Sequence, residues 1–464
     1  MRTLGRVQSE SRLAPEHRIY VNRNLKMASI RAVGFDLDHT LAHYRGPAVE
    51  ELAYRLARRI LVETYGYPSG LLEVPYDRSH VIRGLVIDKR RGNILKMDYH
   101  NYVARAAHGL RVLPNEERKR VYGTGRVRMG SGAYVSVDTL FHLPEVHLFQ
   151  VLVDLLERGT GRKPRSFARI FEDVRASVDA VHADGSLKKE ITGNLEKYIR
   201  RDSRLLPTLR ELVRTGRKLF LLTNSEHYYT RALLTFLLKN GEGAPGWRDF
   251  FDVVVVEAGK PGYFIHTDRK PDVLDTEDGQ LLRGGNVSCL EKELGFRGDE
   301  ILYFGDHTYG DILRSKKSCG WRTAMVVEEL REEIQVSRRV EPQLEELRHW
   351  KALRGVLESD LSILEVEHRE LARKLEELDG GDETSVRIRR RLDGLEHELE
   401  RLGRELETVR RTTADLGDGV NESYNSTWGP IFREGNEVSR FGHQVKDFAC
   451  IYMTRVSNLL HYDM

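Results

Sequence analysis

Cysteine is scarce in this chain: three residues in 464, at Cys289, Cys319 and Cys450. They are far apart, odd in number and show no C-x-x-C spacing. That excludes a disulfide framework and predicts a reducing, cytoplasmic setting. Long hydrophobic runs are missing too. The opening stretch, MRTLGRVQSESRLAPEHRIYVNRNLKMAS, is polar and charged throughout, with no apolar core for a signal peptide. Apolar runs such as Val253–Val256 suit buried strands and are too short to span a bilayer. Neither sign of charge dominates, since 74 basic and 71 acidic residues leave a net charge of +3. The balance gives no global reason to expect a nucleic-acid or anionic-membrane partner. What is present is a water-soluble composition, 40% hydrophobic and 31% charged, on a chain long enough for two or three domains.

Five short apolar segments rich in β-branched or aromatic residues stand out: Ala32–Leu37, Lys218–Thr223, Asp252–Glu257, Ile301–Gly305 and Thr323–Val327. The last four alternate with stretches that read as helices, such as Glu226–Lys239 and Asn286–Leu294. Continuously apolar strands separated by helices predict an α/β fold built on a doubly wound parallel sheet. About 180 residues separate the first two strands, far more than one crossover requires, so a second domain is inserted there. It shows a helix at Glu50–Tyr65, strand-like pieces at Val81–Asp88 and Ile94–Asp98, and helices between Leu148 and Arg200.

Beyond the last strand the pattern changes. Leu353, Leu357, Leu361, Leu364, Leu371, Leu375 and Leu378 recur at steps of three or four, with His368 filling the one gap. After the turn-like Asp379-Gly380-Gly381-Asp382 come Leu392, Leu395, Leu399, Leu402, Leu406 and Val409. Two apolar seams joined by a Gly-Gly turn predict an antiparallel helical hairpin of coiled-coil type. Its charged residues form either a solvated outer face or a partner-binding one. The predicted division is 1–45 for the start of the core, 46–205 for an inserted cap and 206–331 for the rest of the core. Residues 332–411 form the hairpin, and 412–464 an aromatic-bearing segment packed back on the core.

The chemistry sits at strand ends, where open α/β sheets bind ligands. The first strand ends in Asp36-Leu37-Asp38-His39-Thr40; carboxylates two apart share one face of a strand. The second ends in Thr223-Asn224-Ser225, read either as phosphate donors beside a helix N-terminus or as an ordinary helix cap. The third leads to Lys260, taken alone an unremarkable surface residue. The fourth ends in Gly305-Asp306-His307-Thr308-Tyr309-Gly310-Asp311, two carboxylates across a glycine-bearing turn, suited to a hard cation or to a plain acidic loop. Their order along four successive strands decides between these readings.

This ordered set resembles the haloacid dehalogenase superfamily. The resemblance implies a phosphatase with Asp36 as nucleophile and Asp38 as general acid and base. It implies Mg²⁺ held by Asp36, the Asp38 carbonyl, Asp306 and Asp311, and phosphoryl oxygens held by Thr223, Asn224 and Lys260. A closer likeness, from about Ile30 to Leu330, is to the cytosolic purine 5′-nucleotidases of IMP/GMP type. It is carried by Phe35–Ala42, Arg83-Gly84-Leu85-Val86, Gly92–Lys96, Ala107-His108-Gly109, Asp138–Glu145, Asp173-Val174-Arg175, Gly185–Lys188 and Gly305–Lys317. It implies that Phe141 stacks on the purine while Arg175, Asp179 and His182 address its polar edge. Without it, Arg175 and Asp179 read as a surface ion pair four residues apart. Ala183 stands where the family has a bulkier aromatic residue. The resemblance further implies a homo-oligomer, dimer or tetramer, nucleotide effectors, and phosphotransfer to a nucleoside beside hydrolysis. The competing readings are a phosphatase for another phosphomonoester, and a non-catalytic scaffold presenting the hairpin, against which the intact acids at 36, 38, 306 and 311 argue.

Overall fold

The computed structural model describes residues 13–123, 125–158, 166–239, 246–378 and 383–463. They divide into two compact units, one formed by the described residues up to Ile334 together with those from Pro430 onward, the other by the described residues between Gln335 and Gly429.

The first unit is built on a nine-stranded sheet. Its strands are β1 (Tyr20–Val21), β2 (Ala32–Phe35), β3 (Lys218–Leu222), β4 (Val253–Val256), β5 (Pro271–Thr276), β6 (Gly279–Gly284), β7 (Ile301–Gly305), β8 (Arg322–Val326) and β9 (Ile451–Met453). The spatial order is β1-β9-β8-β7-β2-β3-β4-β6-β5. From β9 to β6 all neighbours run parallel, and β2, β4 and β7 are buried along their whole length. Both faces are therefore covered, as continuously apolar strands require. β2 lies between β3 and β7 and carries Gly34 under the Phe220 ring, where a Cβ would stand 2.0 Å from the ring. Only glycine permits that closeness.

The sheet is mixed at its edges, contrary to the simple parallel expectation. β1 pairs antiparallel with β9 and β5 with β6. These edge segments are short or polar, so they lack the continuous apolar signal that marked the interior strands. The predicted strands at 32–37 and 252–257 end earlier, because Leu37 and Glu257 already belong to the loops that carry the site.

The inserted cap leaves the core after His43–Tyr44 and returns at Ile199–Arg200, two short strands paired antiparallel. Between them lie the helix Gly46–Glu63, a five-stranded antiparallel sheet, and the helices Leu143–Glu157, Phe167–Ala183 and Ser186–Gly193. The strand expected over 81–88 is confined to Val86–Asp88, because Gly84 turns the chain at φ +90° with Phe441 packed against it. The segment from Pro430 does not start at 412 as expected. The preceding helix runs on to Tyr424, since Thr413 and Val420 remain on its buried face.

In the second unit the helices Glu341–Glu376 and Glu383–Tyr424 lie against each other. Leu357, Leu402, Leu406 and Val409 form its buried seam, with Leu353, Leu361 and Leu364 packed alongside. The turn expected at 379–382 lies outside the described residues. No helix among the described residues is long and apolar enough to cross a membrane.

Candidate active site

Because β7, β2, β3 and β4 are neighbours and parallel, their carboxyl ends open onto one cavity of about 290 Å³. Asp36 and Asp38 follow β2, Asn224 and Ser225 follow β3, Lys260 follows β4, and Asp306 and Asp311 follow β7; all line it. His39, at φ 55°, turns the chain immediately after Asp38.

Asp36, Asp306 and Asp311 are buried and each offers an oxygen within 4.8 Å of the other two. Lys260 Nζ donates to Asp311 Oδ1 at 2.7 Å and to the Tyr303 hydroxyl at 2.9 Å, and lies 2.8 Å from Asp36 Oδ1. Gly305 permits this closure, since a Cβ there would meet that of Asp311 at 2.4 Å. Burial, then the neighbouring acids, push Asp36 above the ordinary carboxylate range, with Lys260 pulling the other way. Burial raises Asp306 to about 6, with His39 opposing and Asp311 adding to the rise. Three converging carboxylates against one lysine leave negative charge in excess. The donor set is all oxygen. Such a site fits a hard divalent cation.

Several side chains that motif reading missed hold this arrangement. Tyr44 OH donates to Asp38 Oδ1 at 2.5 Å and shares a hydrogen bond with Tyr229, while Ser225 Oγ donates to Asp38 Oδ2 at 2.8 Å. Arg83, fully buried in the cap, donates to the Asp306 carbonyl at 2.9 Å and forms a two-pronged pair with Glu329 at 2.9 and 2.6 Å. Its neighbour Glu328 lies 2.9 Å from His39 and 3.4 Å from His43. Ser225 stood beside Asn224 in the strand-end triplet and Arg83 in a motif-like stretch. Tyr44, Glu328 and Glu329 carry no local signal.

Removing the Tyr44 hydroxyl frees Asp38 to rotate without emptying the cavity. Tyr44→Phe is expected to lower kcat about 10- to 150-fold with KM little changed, the range that follows from ~1.5–3 kcal/mol for a hydrogen bond to a charged group. Steady-state kinetics on native and variant protein checks this.

Three expected site residues sit differently. Thr223 does not line the cavity; it is fully buried and its Oγ1 accepts the Ser225 amide at 3.0 Å. Asn224 lines it, but its amide is engaged with the Lys260 main chain, accepting at 2.7 Å and donating at 3.1 Å, because β3 and β4 are adjacent. Arg175 does not pair with Asp179. It reaches across to buried Glu145, at 2.7 and 2.8 Å, and stays outside the cavity lining. Burial raises Glu145 to about 7, with the Arg175 charge opposing. Phe141, Asp179 and His182 do line the cavity, and the Phe141 and His182 rings stand edge to face at 5.7 Å. Burial, then Lys188, depress the His182 pKa.

A parallel α/β sheet ending in these four motifs, with the acids brought onto one buried point, is the architecture of a phosphohydrolase and resembles the haloacid dehalogenase type. The chain belongs to the 5′ nucleotidase family, whose model matches residues 19–464, and is a phosphomonoester hydrolase. It is 29% identical to the rat 5′-nucleotidase domain-containing protein 2, over 96% of this chain and 77% of that one. It is 30% identical to a 5′-nucleotidase domain-containing protein of Dictyostelium discoideum, over 96% and 72%. Among solved structures, CbbY from Rhodobacter sphaeroides in complex with phosphate matches at 15% identity and a TM-score of 0.26, over 64% and 86%.

Proposed function

We propose that this protein is an Mg²⁺-dependent 5′-nucleotidase acting on purine nucleoside 5′-monophosphates of IMP/GMP type. One observation carries the reading: the acid and lysine cluster shares a single cavity with Phe141, Asp179 and His182 from the cap. At about 290 Å³ it stands at the lower edge of the ~300–1,000 Å³ of small-molecule sites.

In this reading Asp36 attacks phosphorus while the ester P–O bond breaks, and Asp38 gives its proton to the leaving 5′-oxygen. Water then attacks phosphorus of the aspartyl phosphate, its proton passes to Asp38, the acyl-phosphate bond breaks and phosphate leaves. A nucleoside hydroxyl in place of water makes the same second step a phosphotransfer. Tyr44 and Ser225 hold Asp38 for both transfers, and Lys260 pins one oxygen of Asp36. Asp36, the Asp38 carbonyl, Asp306 and Asp311 are the residues that would hold Mg²⁺, which when bound neutralises phosphoryl charge. From the cap, Phe141 offers a ring to the base, and Asp179 accepts from a ring N–H. Arg175 acts on the base only through Glu145, unless it leaves that ion pair. A homo-oligomer and nucleotide effectors complete the reading.

The test is phosphate release from IMP, GMP, AMP, pyrimidine nucleotides and sugar phosphates with Mg²⁺. IMP or GMP is expected to lead; a preference for sugar phosphates or pyrimidines sinks the substrate assignment and leaves the chemistry standing. Phe141→Ala is expected to raise KM for the purine nucleotide roughly 5- to 150-fold, from ~1–3 kcal/mol per stacked base. Turnover of a small alkyl phosphate should not change; an equal loss on both substrates would remove Phe141 from the base site.

A further inference from the structure

Beside the strands by which the chain enters and leaves the cap lies a second, smaller cavity, of about 30 Å³. Four arginines line it: Arg200 and Arg201 from the returning chain, Arg331 from the helix Leu330–Arg339, and Arg455 just after β9. Two carboxylates, Asp202 and Glu328, also line it, and both are already engaged. Asp202 Oδ2 accepts from Ser457 Oγ at 2.5 Å and lies 3.6 Å from Arg455, while its Oδ1 accepts the Arg204 amide at 3.1 Å. Glu328 is held by His39 and His43. Arg201 donates to the Lys239 carbonyl at 3.5 Å and lies over the Phe236 ring. Among the described residues, Arg200 and Arg331 have no acidic partner. Burial lowers the Arg455 pKa, and the charges of Arg331, Arg204 and Arg200 depress it further against the pull of Asp202.

Four guanidinium groups against two carboxylates that are already engaged leave positive charge in excess, and a tetrahedral oxyanion relieves it by accepting from several forks at once. We propose that this cavity binds a phosphate group, either free phosphate or the terminal phosphoryl group of a nucleotide, at the base of the cap. The cavity is small, so a compact group seats at its mouth, with its outer oxygens or a nucleoside outside. Arg200, Arg331 and Arg455 come from three segments distant in sequence, so the bound anion fastens the returning strand of the cap to the core.

Equilibrium dialysis of the full chain against labelled inorganic phosphate, at constant ionic strength, tests this. Native protein is compared with Arg200→Gln/Arg331→Gln, which removes two charges that hold no acid and so leaves the fold intact. The native chain should bind one phosphate more than the variant, whether or not the catalytic cavity takes phosphate, so failure here is separable from failure of the nucleotidase reading. Phosphate should also raise the melting temperature more in the native protein than in the variant. Arg200→Lys/Arg331→Lys, which keeps the charge, should restore the additional site. Equal stoichiometry in native protein and the glutamine variant overturns the proposal. Displacement of the additional phosphate by a nucleoside diphosphate at lower concentration than by phosphate itself identifies the nucleotide as occupant. The reverse order identifies free phosphate.

Discussion

Asp36→Asn is expected to lower phosphate release at least about 10⁴-fold, the scale seen when the nucleophile of a covalent mechanism is removed. The carboxamide has nearly the same size and can still sit at the end of β2, where Asp36 is 7% exposed. It is neutral and a poor nucleophile, so the acyl-phosphate bond does not form. In the native protein Lys260 also donates to Asp311 at 2.7 Å, an anchor the substitution does not touch, so the loss is expected to report chemistry and not collapse of the site. Acid-quenched native protein mixed with labelled substrate should carry phosphate at residue 36, and the variant none. Equal turnover of the two proteins would end the mechanism.

Lys260→Met is expected to cost less turnover than that but also stability, for a different reason. The ammonium group is the cation that lies 2.8 Å from Asp36 and 2.7 Å from Asp311, with 5% of its side chain exposed. Burial disfavours its charge, but the two acids outweigh that and hold its pKa above the ordinary lysine value. Removing one partner of a buried charge pair costs about 3–5 kcal/mol, and losing a charge-stabilising donor costs about 10²–10³-fold in turnover. A metal ion supplies positive charge at the same acids, so Mg²⁺ should raise the melting temperature of the variant more than that of native protein. Thermal unfolding with and without Mg²⁺ measures both effects. A variant as stable as native protein in chelator would show that Lys260 is not what holds the acids together.

Much of the catalytic end was legible in the linear sequence because a parallel sheet converts strand order into spatial convergence. The residues after β2, β3, β4 and β7 meet since those strands are adjacent, and each was flagged by an apolar run ending in polar residues. The base-facing end was less legible. Arg175 and Asp179 share a helix face, but spacing does not reveal that Glu145, on the helix Leu143–Glu157, captures the guanidinium. Thr223 illustrates the same limit: its place in the motif was clear, while the direction of its hydroxyl, toward the Ser225 amide, depends on the turn that follows.

The sequence alone determined the parallel core, the inserted domain, the helical hairpin and the acids at 36, 38, 306 and 311, because burial, helical periodicity and strand-end polarity are local properties of the chain. Tertiary structure alone decided how Asp38 is held by Tyr44 and Ser225, how Arg83 reaches the Asp306 carbonyl, and where four arginines gather beneath the cap. Apart from Tyr44, six positions from Asp38, those contacts join segments more than a hundred positions apart. Their energies come from burial and charge proximity, which exist only after the chain has folded.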